Sequence, residues 1–120
     1  MTDRAMQEPT LLLLTALADE PRHGYAIARE VEAISGGRVK LRTGTLYGAL
    51  ERLLQQGLIE VHKEEVVDSR LRRTYTLTPP GRAALAAEAE RITTTAREAT
   101  RRLAGAARRP GGATGKAATA

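Results

Sequence analysis

The sequence predicts a mainly α fold that carries one small β-hairpin. Three observations lead there. Over residues 9–57, leucine- and alanine-rich segments with apolar residues three and four apart are separated by Gly and Pro breaks. Two short β-compatible runs follow between Leu58 and Leu77. After Pro79-Pro80, a long segment steps its apolar residues by four and three as far as Leu103.

The first helix is expected from about Pro9, a residue suited to a first helical turn, to Ala18, ahead of the Asp19-Glu20-Pro21 break. The second spans about Gly24 to Ser35, with Ile27, Val31 and Ile34 on one side and a left-handed stop available at Gly36-Gly37. Val39-Lys40-Leu41 reads as a brief extended piece. Thr43 and Thr45 carry hydroxyls that can cap a third helix, about Thr45 to Gln56, whose apolar stripe is Leu46, Leu50, Leu53 and Leu54 and which Gly57 ends.

Leu58–Glu65 and Arg72–Leu77 are the two extended runs, joined through Val66-Val67-Asp68-Ser69, and alternation puts Tyr75 and Leu77 on one face. Thr78 before two prolines is a helix start, because the hydroxyl can cap and the prolines lack N–H groups that would have no helical partner. The last helix carries Leu85, Ala89, Ile92, Ala96, Ala99 and Leu103 as a heptad seam, which implies a partner helix. Residues 105–120 are Gly/Ala-rich without periodicity and read as a disordered tail.

Three helices, a hairpin and a long helix in this order are the layout of a winged helix-turn-helix domain. Its expected extent is residues 1–78, followed by a C-terminal dimerisation helix over 79–104.

Composition narrows the functional classes. No cysteine is present, so disulfides, thiolate nucleophiles and cysteine metal sites are excluded. Only two histidines occur, in different elements, and neither a nucleophile-base pair nor a glycine-rich phosphate loop is found; no enzyme and no cofactor or metal is expected. The run Leu11-Leu12-Leu13-Leu14 is too short for a membrane span, so a cytoplasmic protein is expected. The net charge of +5 favours a polyanionic partner, but Arg108, Arg109 and Lys116 supply three of those charges beyond Leu103. Where the charge sits therefore matters more than its sum.

Several stretches resemble the PadR family of bacterial transcription regulators. They are Pro21-Arg22-His23-Gly24-Tyr25-Ala26-Ile27 and Gly44-Thr45-Leu46-Tyr47-Gly48-Ala49-Leu50-Glu51-Arg52-Leu53, then Leu58-Ile59-Glu60, Arg72-Arg73-Thr74-Tyr75-Thr76-Leu77-Thr78 and Gly81-Arg82. They cover roughly residues 9 to 90. The family commonly has proline where Gly48 stands, and glycine inside a helix costs about 1 kcal/mol relative to alanine. The resemblance implies a homodimer on double-stranded DNA, ligand-responsive repression, and a small-molecule inducer.

Packing of the third helix by its stripe leaves Thr43, Thr45, Gly48, Glu51, Arg52 and Gln55 outward. Hydroxyls near a helix start suit phosphate oxygens, and arginine or glutamine suits base edges. Tyr47 is read both as core and as a DNA contact, whereas Tyr25 and Tyr75 are expected in the core and His23 as a cap or packing residue. Arg70, Arg72 and Arg73 at the wing, with Arg38, Lys40 and Arg42 ahead of the third helix, complete the expected DNA-binding set. A two-fold dimer would require a palindromic operator with half-sites about 34 Å apart. The competing expectation is a winged-helix module that binds protein and no specific DNA.

Overall fold

The computed structural model describes residues 6–108. The chain divides after Glu88 into two compact units. The first holds α1 (Glu8–Ala16), β1 (Arg22–His23), α2 (Gly24–Ile34), α3 (Thr43–Gln55), β2 (Ile59–Val67), β3 (Arg70–Leu77) and the start of α4 (Pro79–Arg108). The remainder of α4 forms the described part of the second.

One aliphatic core joins the helices to the sheet. Leu12, Leu13, Leu14, Ala16 and Leu17 come from α1 and its end, Ile27 and Val31 from α2, Leu46, Ala49, Leu50 and Leu53 from α3, and Ile59, Tyr75 and Leu77 from the sheet. The leucine stripe of α3 faces inward as its spacing predicts, with Leu54 half-buried against the same cluster. Gly57, at a φ of 74°, ends α3 in the left-handed region, and Leu58 then donates its N–H to the Leu53 carbonyl. Gly36 closes α2 in the same conformation, as expected.

The sheet is three-stranded and antiparallel in the order β1-β3-β2. Its wing is the β2-β3 hairpin, in register from Ile59↔Leu77 at the base to Val67↔Arg70 at the tip, with an irregularity between Val61 and Lys63. The turn is shorter than predicted. Val66 and Val67 belong to β2, and only Asp68 and Ser69 connect the strands, both at positive φ (52° and 65°), the signature of a type I′ turn matched to strand twist. The third strand was not predicted: Arg22 and His23 pair with Tyr75 and Thr74, whereas Val39-Lys40-Leu41 forms no strand and instead lays Val39 and Leu41 against the core.

Helix starts differ in how they are held. The His23 Nδ1 accepts the Ala26 N–H at 3.3 Å and caps α2. Thr78 caps α4 through the Gly81 N–H (3.0 Å) while donating its own hydroxyl to the Gly57 carbonyl (2.6 Å), so one side chain ties the end of α3 to the start of α4. By contrast α3 begins two residues earlier than predicted, at Thr43, with Arg42 at the N-cap and no side-chain cap; the threonines expected to cap lie inside its first turn. At the other end α4 continues through Gly105 to Arg108, residues assigned to the tail from sequence. The remaining tail residues, 109–120, lie outside the described residues.

Candidate nucleic-acid interface

Thr43, Thr45, Tyr47, Gly48, Glu51, Arg52 and Gln55 are exposed along α3. The inward stripe leaves the polar residues no other direction. Tyr47 divides its surface: it is 47% exposed, yet its phenol lies over Gly24 at the start of α2, where any Cβ would collide with the ring and hydroxyl. Tyr25 corrects its sequence expectation. It stands about 200° round the helix from the buried Ile27 and is 68% exposed, with the Arg29 guanidinium 5.7 Å above its ring. Tyr75 lies in the core, as expected.

Between these tyrosines and the wing lies an open cleft of about 820 Å³. Its helical wall is His23, Gly24, Tyr25, Tyr47 and Glu51; its wing wall is Val67, Asp68, Arg70, Leu71, Arg72, Arg73 and Tyr75. Three arginines thus share one cleft with the outward face of α3. Burial pushes the Tyr75 phenol up, helped by Tyr47 and Glu51 and opposed by Arg73. Burial likewise pushes the His23 imidazole below its ordinary range, and the neighbouring Arg72 charge adds to that while Glu65 opposes it.

The expected basic residues fall into two sets. Arg38 makes a two-pronged pair with Glu8 (2.7 and 3.2 Å), and its guanidinium holds the Glu8 carboxyl below the usual carboxylate range. Lys40 lies 3.9 Å from Glu32, and Arg73 pairs with its cross-strand neighbour Glu64 at 2.8 Å. Arg42, Arg52, Arg70 and Arg72 have no ion pair within 4 Å among the described residues. Sequence reading missed these pairings because Glu8 and Arg38 are thirty residues apart and because the hairpin register alone sets Glu64 opposite Arg73. It also passed over Arg22, whose Nε donates to the Ala16 carbonyl at 2.8 Å while its guanidinium meets Asp19, Glu20 and Glu30. Arg22 is structural.

Along α4, Leu85 is half-buried and packs against the core of the first unit. In the second unit Ala89, Ile92, Ala96, Ala99 and Leu103 are exposed, Ile92 by 45% and Leu103 by 72%. Among the described residues no cluster of His, Cys, Asp or Glu could hold a metal ion, and no helix is long and apolar enough to cross a membrane.

Three helices closed by a sheet, with the polar face of the third turned out beside a basic hairpin, define a winged helix-turn-helix domain. The chain belongs to the PadR-like family of transcriptional regulators, whose family model (Transcriptional regulator PadR-like family) matches residues 13–87. It is similar to the transcriptional regulator Rv3488 of Mycobacterium tuberculosis, 40% identical over 88 residues, covering 73% of this chain and 78% of that protein. It is also similar to an uncharacterized 37.1 kDa protein in transposon TN4556 of Streptomyces fradiae, 46% identical over 79 residues and 66% of this chain. The chain spans only 21% of that relative's length. Among solved structures, Bacillus subtilis PadR in complex with operator DNA shares the fold, with a TM-score of 0.59 at 21% identity over 67% of this chain and 46% of that one.

Proposed function

We propose that this PadR-like regulator is a cytoplasmic, dimeric repressor that binds a palindromic operator. The outward face of α3 enters the major groove, and Arg42, Arg52, Arg70 and Arg72 meet phosphates on either side. The observation that carries this reading is the cleft itself: the polar face of α3 borders one open space with Arg70 and Arg72, which have no ion pair within 4 Å among the described residues, an arrangement suited to phosphates beside a groove. Bacillus subtilis PadR, a structural neighbour, is known in complex with operator DNA, which supports the same use of the fold here.

Dimerisation runs through the apolar face of α4 at Ala89, Ile92, Ala96, Ala99 and Leu103, and Leu85 joins that helix to its own domain. Repression is steric. A small-molecule inducer that prefers another arrangement of the two halves lowers operator affinity by shifting that equilibrium. The test is fluorescence anisotropy on duplexes from the protein's own upstream region across a range of salt. A specific complex that weakens steeply with salt is expected; equal binding to every sequence, or none, removes the repressor reading.

A further inference from the structure

Followed at about 100° per residue, α3 buries Leu46, Ala49, Leu50 and Leu53 on one side. The line opposite that side runs through Gly44, Gly48, Glu51 and Gln55. The first two carry no side chain, and open space stands where their Cβ atoms would be. Glu51 is therefore the first functional group met along the outermost line of the helix, with Tyr47 on one flank and Arg52 on the other. It lines the same cleft as the wing arginines, and its charge is felt by Tyr75. Even so, it makes no ion pair within 4 Å among the described residues.

A carboxylate at the centre of a surface that faces phosphates opposes their binding, so its place there is favourable only if it meets donors. Its oxygens accept and never donate. In the major groove the amino group of cytosine is a donor suited to it, whereas at adenine the amino group adjoins the N7 acceptor, which sets acceptor against acceptor.

Resting on the DNA-binding reading above, we propose that Glu51 is a specificity residue: it accepts a hydrogen bond from the N4 amino group of one cytosine in each half-site and, by its charge, lowers affinity for DNA of any other sequence. Glu51→Gln keeps the shape and removes the charge, and Glu51→Ala removes both. The experiment is selection of binding sites from a pool of randomised duplexes with the full chain and each variant, followed by titration of one unselected duplex at low salt. The full chain enriches cytosine at one position per half-site. Both variants lose that preference by about tenfold, and both bind the unselected duplex more tightly. Variants that enrich the same base at the same position overturn the assignment of Glu51 alone. Absence of enrichment at every position by the full chain overturns the DNA-binding reading, and this assignment with it.

Discussion

His23 holds α2 only while its Nδ1 carries no proton, since that atom accepts the Ala26 N–H. Burial lowers its pKa from the ordinary 6.5, so the folded chain binds its proton less readily than the unfolded chain does. The sign follows: stability is complete above pH 6.5 and falls as the pH drops from there through the lowered value. Urea titrations from pH 8 to 5 are expected to show an acid loss of stability to which His23 contributes. Asparagine caps without titrating, so His23→Asn removes this part of the loss; an unchanged acid limb would show that other groups set it. Two glycines give opposite outcomes from the same substitution. Open space surrounds Gly48 on α3, and Gly48→Ala is expected to stabilise by about 1 kcal/mol, raising Tm by about 4 °C. At Gly81 a Cβ would run into the Leu58 carbonyl, so Gly81→Ala destabilises by about 1–3 kcal/mol as the start of α4 is forced away from the turn between α3 and β2. Thermal unfolding of the two variants side by side checks both signs. A Gly48→Ala chain that is more stable yet binds the operator less well would place duplex against that turn of α3.

Among the elements, the wing carries the charge that matters. One face of the hairpin pairs Ile59 with Leu77 in the core at its base, then Glu64 with Arg73 and Val66 with Leu71 in solvent toward its tip. Arg73 is therefore already answered by a carboxylate, whereas Arg70 and Arg72 have none within 4 Å among the described residues. Replacing Arg70 and Arg72 by alanine is expected to weaken binding to all duplexes alike and to lower the slope of log affinity against log salt by about 2, near 0.9 per phosphate contact. Arg73→Ala changes that slope less, and an equal change for Arg73 would mean that its pair with Glu64 opens on binding. The sequence was legible where one local rule decides the outcome: Gly57 stops α3, Thr78 caps α4, and the leucine stripe turns α3 polar side outward. It was not legible where distant segments decide. The two-residue strand β1 exists only because β3 offers it an edge fifty residues later, and neither alternation nor turn chemistry can announce so short a run. Tyr25 was misplaced for a different reason: the stripe of Ile27 and Val31 already sets it about 200° from Ile27, and its aromatic character outweighed that local signal, whereas it stands in solvent with Arg29 over its ring. The uncapped start of α3 hid behind two threonines that could have capped it.

At the scale of the whole molecule, the question is what covers the apolar side of α4. Most helical stability in proteins comes from packing an amphipathic face, so an exposed apolar stripe on a long helix calls for a partner surface. Beyond Glu88 the stripe is narrow, three alanines with Ile92 and Leu103, and small residues let a second helix approach closely. The charges beside it are partly neutralised within the helix, since Glu98 takes both Arg101 and Arg102. On the proposed dimeric reading, so narrow a seam would give a pair of modest strength, as an inducer-driven rearrangement of the two halves would require. Two carboxylates placed in it, Ile92→Glu with Ala96→Glu, lie four residues apart on one face, and a two-fold pair would bring four of them into one seam. Sedimentation velocity is then expected to report half the mass. Affinity for a palindromic duplex should fall by about a hundredfold to that of a single half-site, because the second contact is no longer intramolecular. Binding to a duplex with one half-site should hold steady, which separates loss of pairing from loss of the fold. A variant that sediments at the full dimer mass would move the dimer contact away from this face of α4, and the spacing of half-sites would then have to be set by another surface.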